Sequence, residues 1–208
     1  MNALPRLYGI VDDATWLARL LPCGLRLVQL RVKDQPAEVL TRQIALAQAQ
    51  CARHGAILVV NDHWRQAIAQ GCAWVHLGQE DLDTADLPAI RRAGLRLGVS
   101  THDEAELERA LSLAPDYVAL GPIYPTVLKA MRWAPQGLAR IGQWKQRVGR
   151  LPLVAIGGLT PQRAPGVLAA GADSLAVVTD ILRAADPPAR LRQWQAVVEP
   201  THPHTEFA

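Results

Sequence analysis

The sequence lacks the features that mark nucleic-acid-binding, membrane and disulfide-rich proteins. Its 22 Lys and Arg against 19 Asp and Glu leave a net charge of +3 and form no basic block, so nucleic-acid binding is not expected. No apolar run approaches the roughly 18 residues of a membrane span, and no signal-peptide pattern stands at the start. The three cysteines, Cys23, Cys51 and Cys72, are scattered, which favours buried free thiols over metal ligands or disulfides. We expect a cytoplasmic protein without membrane or nucleic-acid partners.

What the sequence has is a regular alternation of short apolar runs and helical patterns. The strand-like runs are residues 7–11, 25–30, 56–60, 74–77, 95–99, 117–120, 153–156 and 174–178. Helical patterns cover residues 14–21, 36–54, 63–70, 86–93, 137–148, 161–170 and 187–198, and a further helix is expected after a capping box of Thr101 and Glu104. Strands rich in Val, Ile and Leu that alternate with helices indicate a parallel sheet covered by helices.

Eight such strands predict a single-domain (β/α)₈ barrel over residues 1–198, with residues 199–208 as a frayed tail. The alternative is an open, doubly wound sheet. Its dinucleotide-binding version would want Gly-x-Gly-x-x-Gly after the first strand, where Asp12 and Asp13 stand instead. The barrel is therefore the better interpretation.

The stretch 27–33 reads as a strand in which polar and apolar side chains alternate. Gln29, Arg31 and Lys33 would then share one face. An amide, a guanidinium and an ammonium aimed at one place suit a ligand with several anionic oxygens, such as a diphosphate. The alternative is an edge strand with a solvated polar face.

Carboxylates follow the third and fourth predicted strands, as Asn61-Asp62 and Gln79-Glu80-Asp81. In a barrel the carboxyl ends of all strands share one face, where active sites form. Hard oxygen ligands from two adjacent loops suit Mg²⁺, and together with Arg31, Lys33 and Lys129 they would stabilise a leaving diphosphate. Asp62 alone has a second interpretation, as a helix cap.

A second anion site is indicated by Gly157 and Gly158, which follow the seventh strand. Paired glycines let backbone N–H groups approach a ligand, and a helix is expected directly after them. The loops after strands seven and eight are the usual phosphate site of such barrels, and Thr179 can add a hydroxyl there. A turn without a ligand is the alternative.

Other conspicuous residues have ordinary interpretations. The loop 121–136 carries Pro122 and Pro125 and would form either an ordered lid or a simple connector. His76 is expected to be a structural histidine with satisfied hydrogen bonds. Core packing is the better interpretation of the tryptophans, with packing on an aromatic substrate as the alternative; these are Trp64, Trp74, Trp133 and Trp144.

Taken in order, these segments resemble the thiamine-phosphate synthase (thiamine phosphate pyrophosphorylase) family over residues 7–181. No single motif is specific, but the ordered set is. The motifs are Gln29-Leu30-Arg31-Val32-Lys33, Asn61-Asp62, Val75-His76-Leu77-Gly78-Gln79-Glu80-Asp81, Gly98-Val99-Ser100-Thr101-His102, Gly121-Pro122-Ile123-Tyr124-Pro125-Thr126 with Lys129, and Ala155-Ile156-Gly157-Gly158.

The resemblance implies an enzyme that joins 4-amino-5-hydroxymethyl-2-methylpyrimidine diphosphate to a thiazole phosphate, giving thiamine phosphate and diphosphate. The family mechanism is dissociative, since diphosphate leaves before the thiazole nitrogen captures the pyrimidine-methyl cation. By the resemblance, the pyrimidine diphosphate is bound by Gln29, Arg31, Lys33, Asn61 and Lys129.

The resemblance also assigns Mg²⁺ to Asp62 and Asp81, and contact with the pyrimidine substrate to Ser100. The thiazole phosphate would be held by Gly158 with Val178 and Thr179, beside Gly157. The candidate catalytic residues are Arg31, Lys33, Lys129 and Ser100. A monomer or a homodimer is expected.

The sequence departs from the family pattern in the lid. The usual Thr-x-Thr-Lys is here Thr126-Val127-Leu128-Lys129, so Leu128 puts side-chain recognition of a thiazole carboxylate in question. Thr179 replaces the usual Ser, and Asp180 beside it is unusual. Two other functions compete. A thiazole tautomerase would not need the diphosphate residues, and a non-catalytic barrel that senses thiamine phosphates would be expected to lack the metal carboxylates or the lid lysine.

Overall fold

The computed structural model describes residues 4–126 and 133–199 of the chain. Eight parallel strands close into a barrel in sequence order, and Leu7 of the first strand pairs with Leu175 of the last. The predicted (β/α)₈ barrel is confirmed. Its strands are β1 (Leu7–Val11), β2 (Leu27–Leu30), β3 (Ile57–Asn61), β4 (Trp74–Leu77), β5 (Arg96–Thr101), β6 (Tyr117–Leu120), β7 (Leu153–Ile156) and β8 (Ser174–Val177).

Helices surround the barrel, and a short 3₁₀ helix (Ala14–Trp16) precedes the first of them. The α-helices are α1 (Leu17–Leu20), α2 (Ala37–Arg53), α3 (Trp64–Ala69), α4 (Gln79–Leu82), α5 (Leu87–Arg92), α6 (Glu104–Ser112), α7 (Gly137–Val148), α8 (Ala164–Ala169), α9 (Thr179–Leu182) and α10 (Pro187–Val198). Within residues 4–126 and 133–199, no helix is both long and apolar enough to cross a membrane. The one-turn helices α4 and α9 fall where the sequence predicted only loops.

The predicted capping box at Thr101 is wrong. Thr101 is the last residue of β5 and pairs with Leu120 in the sheet ladder. Its buried hydroxyl donates to the carbonyl of Ala119 and accepts from the indole of Trp144, each at 2.9 Å. Helix α6 is capped instead by Asp103, whose carboxylate accepts from the backbone N–H of Glu106 at 2.9 Å. Because the β-branched Thr101 pairs in the sheet ladder, the strand continues to the position where a helix cap was expected.

Two hydrophobic layers hold the fold together. The outer layer lies between the strands and the helices and includes Trp64 and Trp144, as expected for core tryptophans. The inner layer fills the barrel. It consists of Leu4, Tyr8, Ile10, Leu27, Val59, Trp74, Tyr117, Ala119, Val154 and Ala176.

The size of the inward-facing residues changes along the barrel axis. Leu27, Trp74 and Tyr117 are the first residues of their strands, so bulky side chains fill the amino end of the barrel. Two residues further along β6 and β8 the inward positions are the small Ala119 and Ala176. Because alternate residues of a strand face the same side, this gradient closes the amino end and leaves space at the carboxyl end.

Candidate active site

A cavity of about 780 Å³ opens at the carboxyl ends of the strands. Most of the residues predicted for a site line it. These are Gln29, Arg31, Asp62, Asp81, Ser100, Thr126, Gly157, Gly158, Val178 and Thr179. Lys33 and Asn61 stand beside the cavity rather than in its wall, while Leu128 and Lys129 lie outside the described residues. The barrel therefore gathers residues from the ends of seven strands, β2 to β8, around one space.

Contrary to the prediction, the stretch 27–33 is not one continuous strand. Strand β2 ends at Leu30, although the N–H of Arg31 still donates to the carbonyl of Val11 at 2.8 Å. Gln29 is buried and faces the barrel interior, and Arg31 is exposed on the wall of the cavity. Lys33 lies beyond the ladder and pairs with Asp62. The three polar side chains thus approach the same end of the barrel by two routes, a strand face and a loop.

Asp62 and Asp81 form a carboxylate pair at the ends of β3 and β4. Asp62 has a φ of +62°, which turns the chain sharply after Asn61. Asp81 lies in the first turn of α4 and accepts from the N–H of Gly78 at 3.1 Å. Burial raises the pKa of the Asp81 carboxyl, and the negative charge of Asp62 and the hydrogen bond between the two side chains raise it further. Two carboxyls held this close to each other disfavour double ionisation.

The donor set of this pair fits Mg²⁺. Among the described residues no group of three or more His, Cys, Asp or Glu is placed to hold a metal. Mg²⁺ needs fewer protein ligands than that, because it commonly takes one or two carboxylates and completes its shell with water and phosphate oxygens. Asp62 is also not a helix cap, since α3 begins after His63 and has no side-chain cap. Asn61 is buried at the end of β3 and pairs with His76 in the strand register.

Beneath the cavity, a line of polar side chains crosses the barrel interior. The hydroxyls of Tyr8 and Tyr117 are 3.0 Å apart, and Tyr117 contacts Nδ1 of His76 at 2.8 Å. Nε2 of His76 contacts the hydroxyl of Ser100 at 2.8 Å, and Gln29 donates to Tyr8 at 3.0 Å. Burial lowers the pKa of His76 to about 4 and raises the pKa of both tyrosines above their usual range, so all three are neutral at pH 7.

The sequence reading missed Tyr8 and Tyr117. Both sit at inward-facing strand positions, and Gly98 on the neighbouring β5 leaves room for the ring of Tyr117. A glycine inside a strand next to an aromatic is a signal of close approach that could have indicated the pair. His76 was expected to be structural with satisfied hydrogen bonds. It does have a partner on each ring nitrogen, but it also lines the cavity.

The Gly157–Gly158 turn packs against the start of the long loop. Both glycines have positive φ, +100° and +63°. A Cβ on Gly157 would stand 2.7 Å from Cα of Pro122, and one on Gly158 would stand 2.5 Å from the carbonyl of Pro125. The helix expected directly after these glycines is absent at that point, since α8 begins only at Ala164. The turn is therefore shaped by its contact with the loop and not by a helix start.

The long loop is described on both sides of residues 127–132. Its two ends are tied together, because the N–H of Gln136 donates to the carbonyl of Pro122 at 2.8 Å. Trp133 is not a core residue, contrary to the prediction. It is half-buried, lines the cavity and stacks on His102 with ring centres 5.6 Å apart and planes 8° apart. His102 in turn bonds Glu106 at 2.7 Å, so this wall of the cavity is braced from α6.

Asp180, the unusual residue beside Thr179, anchors the short helix α9. Its carboxylate accepts from Nε and Nη2 of Arg190, each at 2.8 Å, and from the indole of Trp194 at 2.7 Å. Both partners belong to α10, and Trp194 is fully buried. The departure from the family pattern thus has a structural explanation: it fixes the element that carries Thr179.

Comparison with known proteins gives consistent matches over the whole barrel. The chain matches the family described as thiamine monophosphate synthase over residues 7–181. A thiamine-phosphate synthase of Rhizobium etli is 62% identical over 93% of this chain and 95% of its own, and one of Neisseria meningitidis is 48% identical over 92% and 94%. A solved thiamine phosphate pyrophosphorylase from Pyrococcus furiosus superposes with a TM-score of 0.84 at 26% identity, covering 93% of this chain and 95% of that one.

Proposed function

The chain belongs to the thiamine monophosphate synthase family, and on that premise we propose how it makes thiamine phosphate. Thiamine phosphate synthesis is the enzyme's activity, as its relatives at 48–62% identity over most of the chain indicate. The proposed substrates are 4-amino-5-hydroxymethyl-2-methylpyrimidine diphosphate and 4-methyl-5-(2-phosphoethyl)thiazole or its carboxylate. The proposed location is the cytoplasm, which the three free thiols favour.

One observation carries this proposal above the others. A single cavity has a corner with a cation and two carboxylates, formed by Arg31, Asp62 and Asp81, and a separate glycine turn at Gly157 and Gly158. The first suits a diphosphate with a divalent cation, and the second suits a phosphate monoester. Two anionic substrates that must react with each other need such a pair of sites in one space.

In the proposed mechanism the carboxylate pair holds Mg²⁺. When bound there, Mg²⁺ supplies positive charge to the oxygens of the diphosphate. Arg31 adds a guanidinium that can donate hydrogen bonds to two phosphate oxygens at once. Lys33 forms an ion pair with Asp62, so its ammonium is proposed to lie next to the diphosphate oxygens as well. Lys129, from the loop beyond the described residues, is proposed as a third cation. These groups stabilise negative charge as it builds up on the leaving group.

The proposed reaction breaks the bond between the pyrimidine methylene carbon and the diphosphate oxygen. The electron pair leaves with the oxygen, and the thiazole nitrogen then donates its lone pair to the methylene carbon. The protein need not supply a nucleophile, because its task is to stabilise the leaving group and to hold the two rings together. Gln29 on β2 and Ser100 on β5 are proposed to hold the pyrimidine, with Asn61 supporting the diphosphate corner.

The thiazole phosphate is proposed to lie at the Gly157–Gly158 turn. Backbone N–H groups there and at Val178 and Thr179 would bind the phosphate, with the Thr179 hydroxyl as a further donor. Thr126 lines the same cavity, and Leu128 follows two residues later. With Leu128 in place of a hydroxyl residue, a thiazole carboxylate would depend on Thr126 and on backbone donors.

The test is turnover of the purified protein with both substrates, with and without Mg²⁺, read as thiamine phosphate after oxidation to its fluorescent product. We expect formation of product that stops on chelation and returns when Mg²⁺ is added back. Isomerisation of the thiazole phosphate alone would support the tautomerase. Tight binding without either reaction would support the sensing barrel. Both rivals leave unexplained why Arg31, Asp62 and Asp81 line one cavity.

A further inference from the structure

The polar line beneath the cavity has a direction. Four hydrogen bonds join Gln29, Tyr8, Tyr117, His76 and Ser100 in that order. The first four side chains are at most 7% exposed, so each hydroxyl or ring nitrogen must find its partner within the line or in the cavity. Throughout the described part of the chain, no fully buried side-chain polar atom is left without a partner.

The direction follows from counting donors. Nε2 of Gln29 can only donate, so the Tyr8 oxygen accepts and the Tyr8 proton goes to Tyr117. The Tyr117 proton then goes to Nδ1 of His76, which must carry no proton of its own. A neutral imidazole with an unprotonated Nδ1 has its proton on Nε2, and that proton goes to the Ser100 oxygen. The Ser100 proton is the one left to point into the cavity.

One other arrangement satisfies all four bonds while both tyrosine protons stay within the line. If the Gln29 amide turned over, Oε1 would accept from Tyr8 and every bond in the line would reverse, ending with Ser100 donating to His76. With Gln29 donating to Tyr8, a doubly protonated His76 does not fit, because Nδ1–H and Tyr8 would both donate to Tyr117 and leave the Tyr117 proton without an acceptor. For a neutral His76 the two ends of the line are therefore coupled across the barrel, and Gln29 and Ser100 change their roles together.

We propose that Tyr8 and Tyr117 are positioning residues that make this cavity select a 4-aminopyrimidine over its 4-oxo counterpart. With Gln29 donating to Tyr8, Gln29 offers the acceptor Oε1 to the cavity and Ser100 offers a proton, and both residues line the cavity. An amino group beside ring nitrogens supplies the matching donor and acceptor. A 4-oxo ring would set its carbonyl against Oε1 unless all four bonds reversed. The inference rests on the proposed function, since it concerns the pyrimidine side of that cavity.

The first measurement is the tautomer of His76, from long-range ¹H–¹⁵N correlation spectra of the wild-type protein. We expect the proton on Nε2. A proton on Nδ1 would mean that the line runs the other way and would overturn the proposal. This measurement needs neither substrate nor metal, so it is independent of whether the protein turns over.

The second measurement compares affinities for the 4-amino and 4-oxo pyrimidine diphosphates by calorimetry, in wild type and in Tyr117→Phe. The variant cuts the line, so Gln29 can turn over without Ser100. We expect the preference for the amino compound to fall at least tenfold, while KM for the thiazole phosphate changes less than twofold. Thr101→Val is the matched control, because it removes a buried hydroxyl that bonds the outer layer. It should leave the preference unchanged.

If Tyr117→Phe does not fold, Tyr8→Phe serves in its place, because it separates Gln29 from the rest of the line. An unchanged preference in either folded variant would overturn the proposal. A wild-type protein that shows Mg²⁺-dependent turnover but binds both pyrimidine rings equally well would contradict this inference and still support the proposed function. A wild-type protein that binds neither pyrimidine diphosphate would end both.

Discussion

Gly98 and Tyr117 lie side by side on β5 and β6, so closely that a Cβ on Gly98 would stand 2.0 Å from Cζ of the tyrosine ring. The contact places the Tyr117 hydroxyl between Tyr8 and His76. A glycine at this position is thus part of how the cavity floor is built.

Gly98→Ala is expected to push the Tyr117 ring away. Overpacking of this kind costs about 1–3 kcal/mol, which lowers Tm by roughly 2–12 °C in a chain of this size. The pyrimidine diphosphate should also bind more weakly, because the line to Ser100 is broken. Thermal unfolding and substrate titration measure the two effects. Gly142→Ala is the control, since its Cβ would come no closer than 3.8 Å to Ala170. A Gly98→Ala protein that matches wild type in both measurements would contradict the contact.

Asp62→Asn and Asp81→Asn are each expected to lower turnover at least 100-fold at fixed Mg²⁺, with little change in stability. Each replaces an ionised oxygen ligand by an amide. Asn is chosen at position 62 because it tolerates the φ of +62° better than Ala. The measurement is turnover as a function of Mg²⁺ concentration, together with Tm.

Asp83→Asn is the control for the carboxylate pair, because Asp83 lies two residues from Asp81 but pairs with Arg109. It should keep most of the activity. Wild-type dependence on Mg²⁺ in Asp62→Asn or Asp81→Asn would remove that residue from the proposed metal site.

Arg31→Ala is expected to weaken the pyrimidine diphosphate about 10- to 100-fold and to spare the thiazole phosphate. A hydrogen bond to a charged group contributes about 1.5–3 kcal/mol, which gives a change of that size. KM for each substrate at saturating partner is the measurement. Arg53→Ala, at the exposed end of α2, is the matched arginine control. Equal weakening of both substrates would place Arg31 outside the diphosphate site.

Gly158→Ala should produce the opposite pattern. A Cβ at this position would stand 2.5 Å from the carbonyl oxygen of Pro125, and the φ of +63° is unfavourable for alanine. The turn must therefore move. We expect KM for the thiazole phosphate to rise at least tenfold, with the pyrimidine diphosphate little affected. Gly71→Ala has a similar φ of +64° but nothing within 4 Å of the added Cβ, so it isolates the backbone cost of about 1–2 kcal/mol. A thiazole phosphate KM that stays at the wild-type value would refute this assignment.

Asp180→Asn is expected to destabilise the protein by about 1–3 kcal/mol, because Arg190 and the buried indole of Trp194 both bond its carboxylate. Denaturant unfolding measures the loss. Arg190→Met removes one partner and keeps the Trp194 bond, so its cost should be smaller. Should Asp180→Asn prove as stable as wild type, the anchoring of α9 would need another explanation.

The sequence predicted the barrel well because its evidence is local. Apolar runs and helix punctuation recur with the same order along the chain, and polar residues stand at the strand ends, so topology alone brings Arg31, Asp62 and Gly157 to one face. Segment limits were less certain. Thr101 looked like a cap because Glu104 follows it at the right spacing, and only its ladder partner Leu120 shows that the strand continues.

The polar line could not be predicted, because its members are far apart in sequence. Tyr8 and Tyr117 are separated by 109 residues, and neither carries a local pattern that indicates a partner. Trp133 was misread for a similar reason, since only the folded loop shows that it stacks on His102. Contacts between distant strands depend on register and on side-chain size inside the barrel, which a single sequence does not display.

The filled amino end of the barrel determines from which side substrates enter the cavity and products leave it. Leu27, Trp74 and Tyr117 fill that end, so the cavity opens at the carboxyl ends of the strands. Gln29 and Ser100 lie at the bottom of it, and the Gly157–Gly158 turn lies at the rim. On the proposed function, the pyrimidine diphosphate is therefore expected to bind before the thiazole phosphate, which would lie above it. Diphosphate and thiamine phosphate would then leave through the same opening, so product release, and not only the chemical step, would limit the turnover rate.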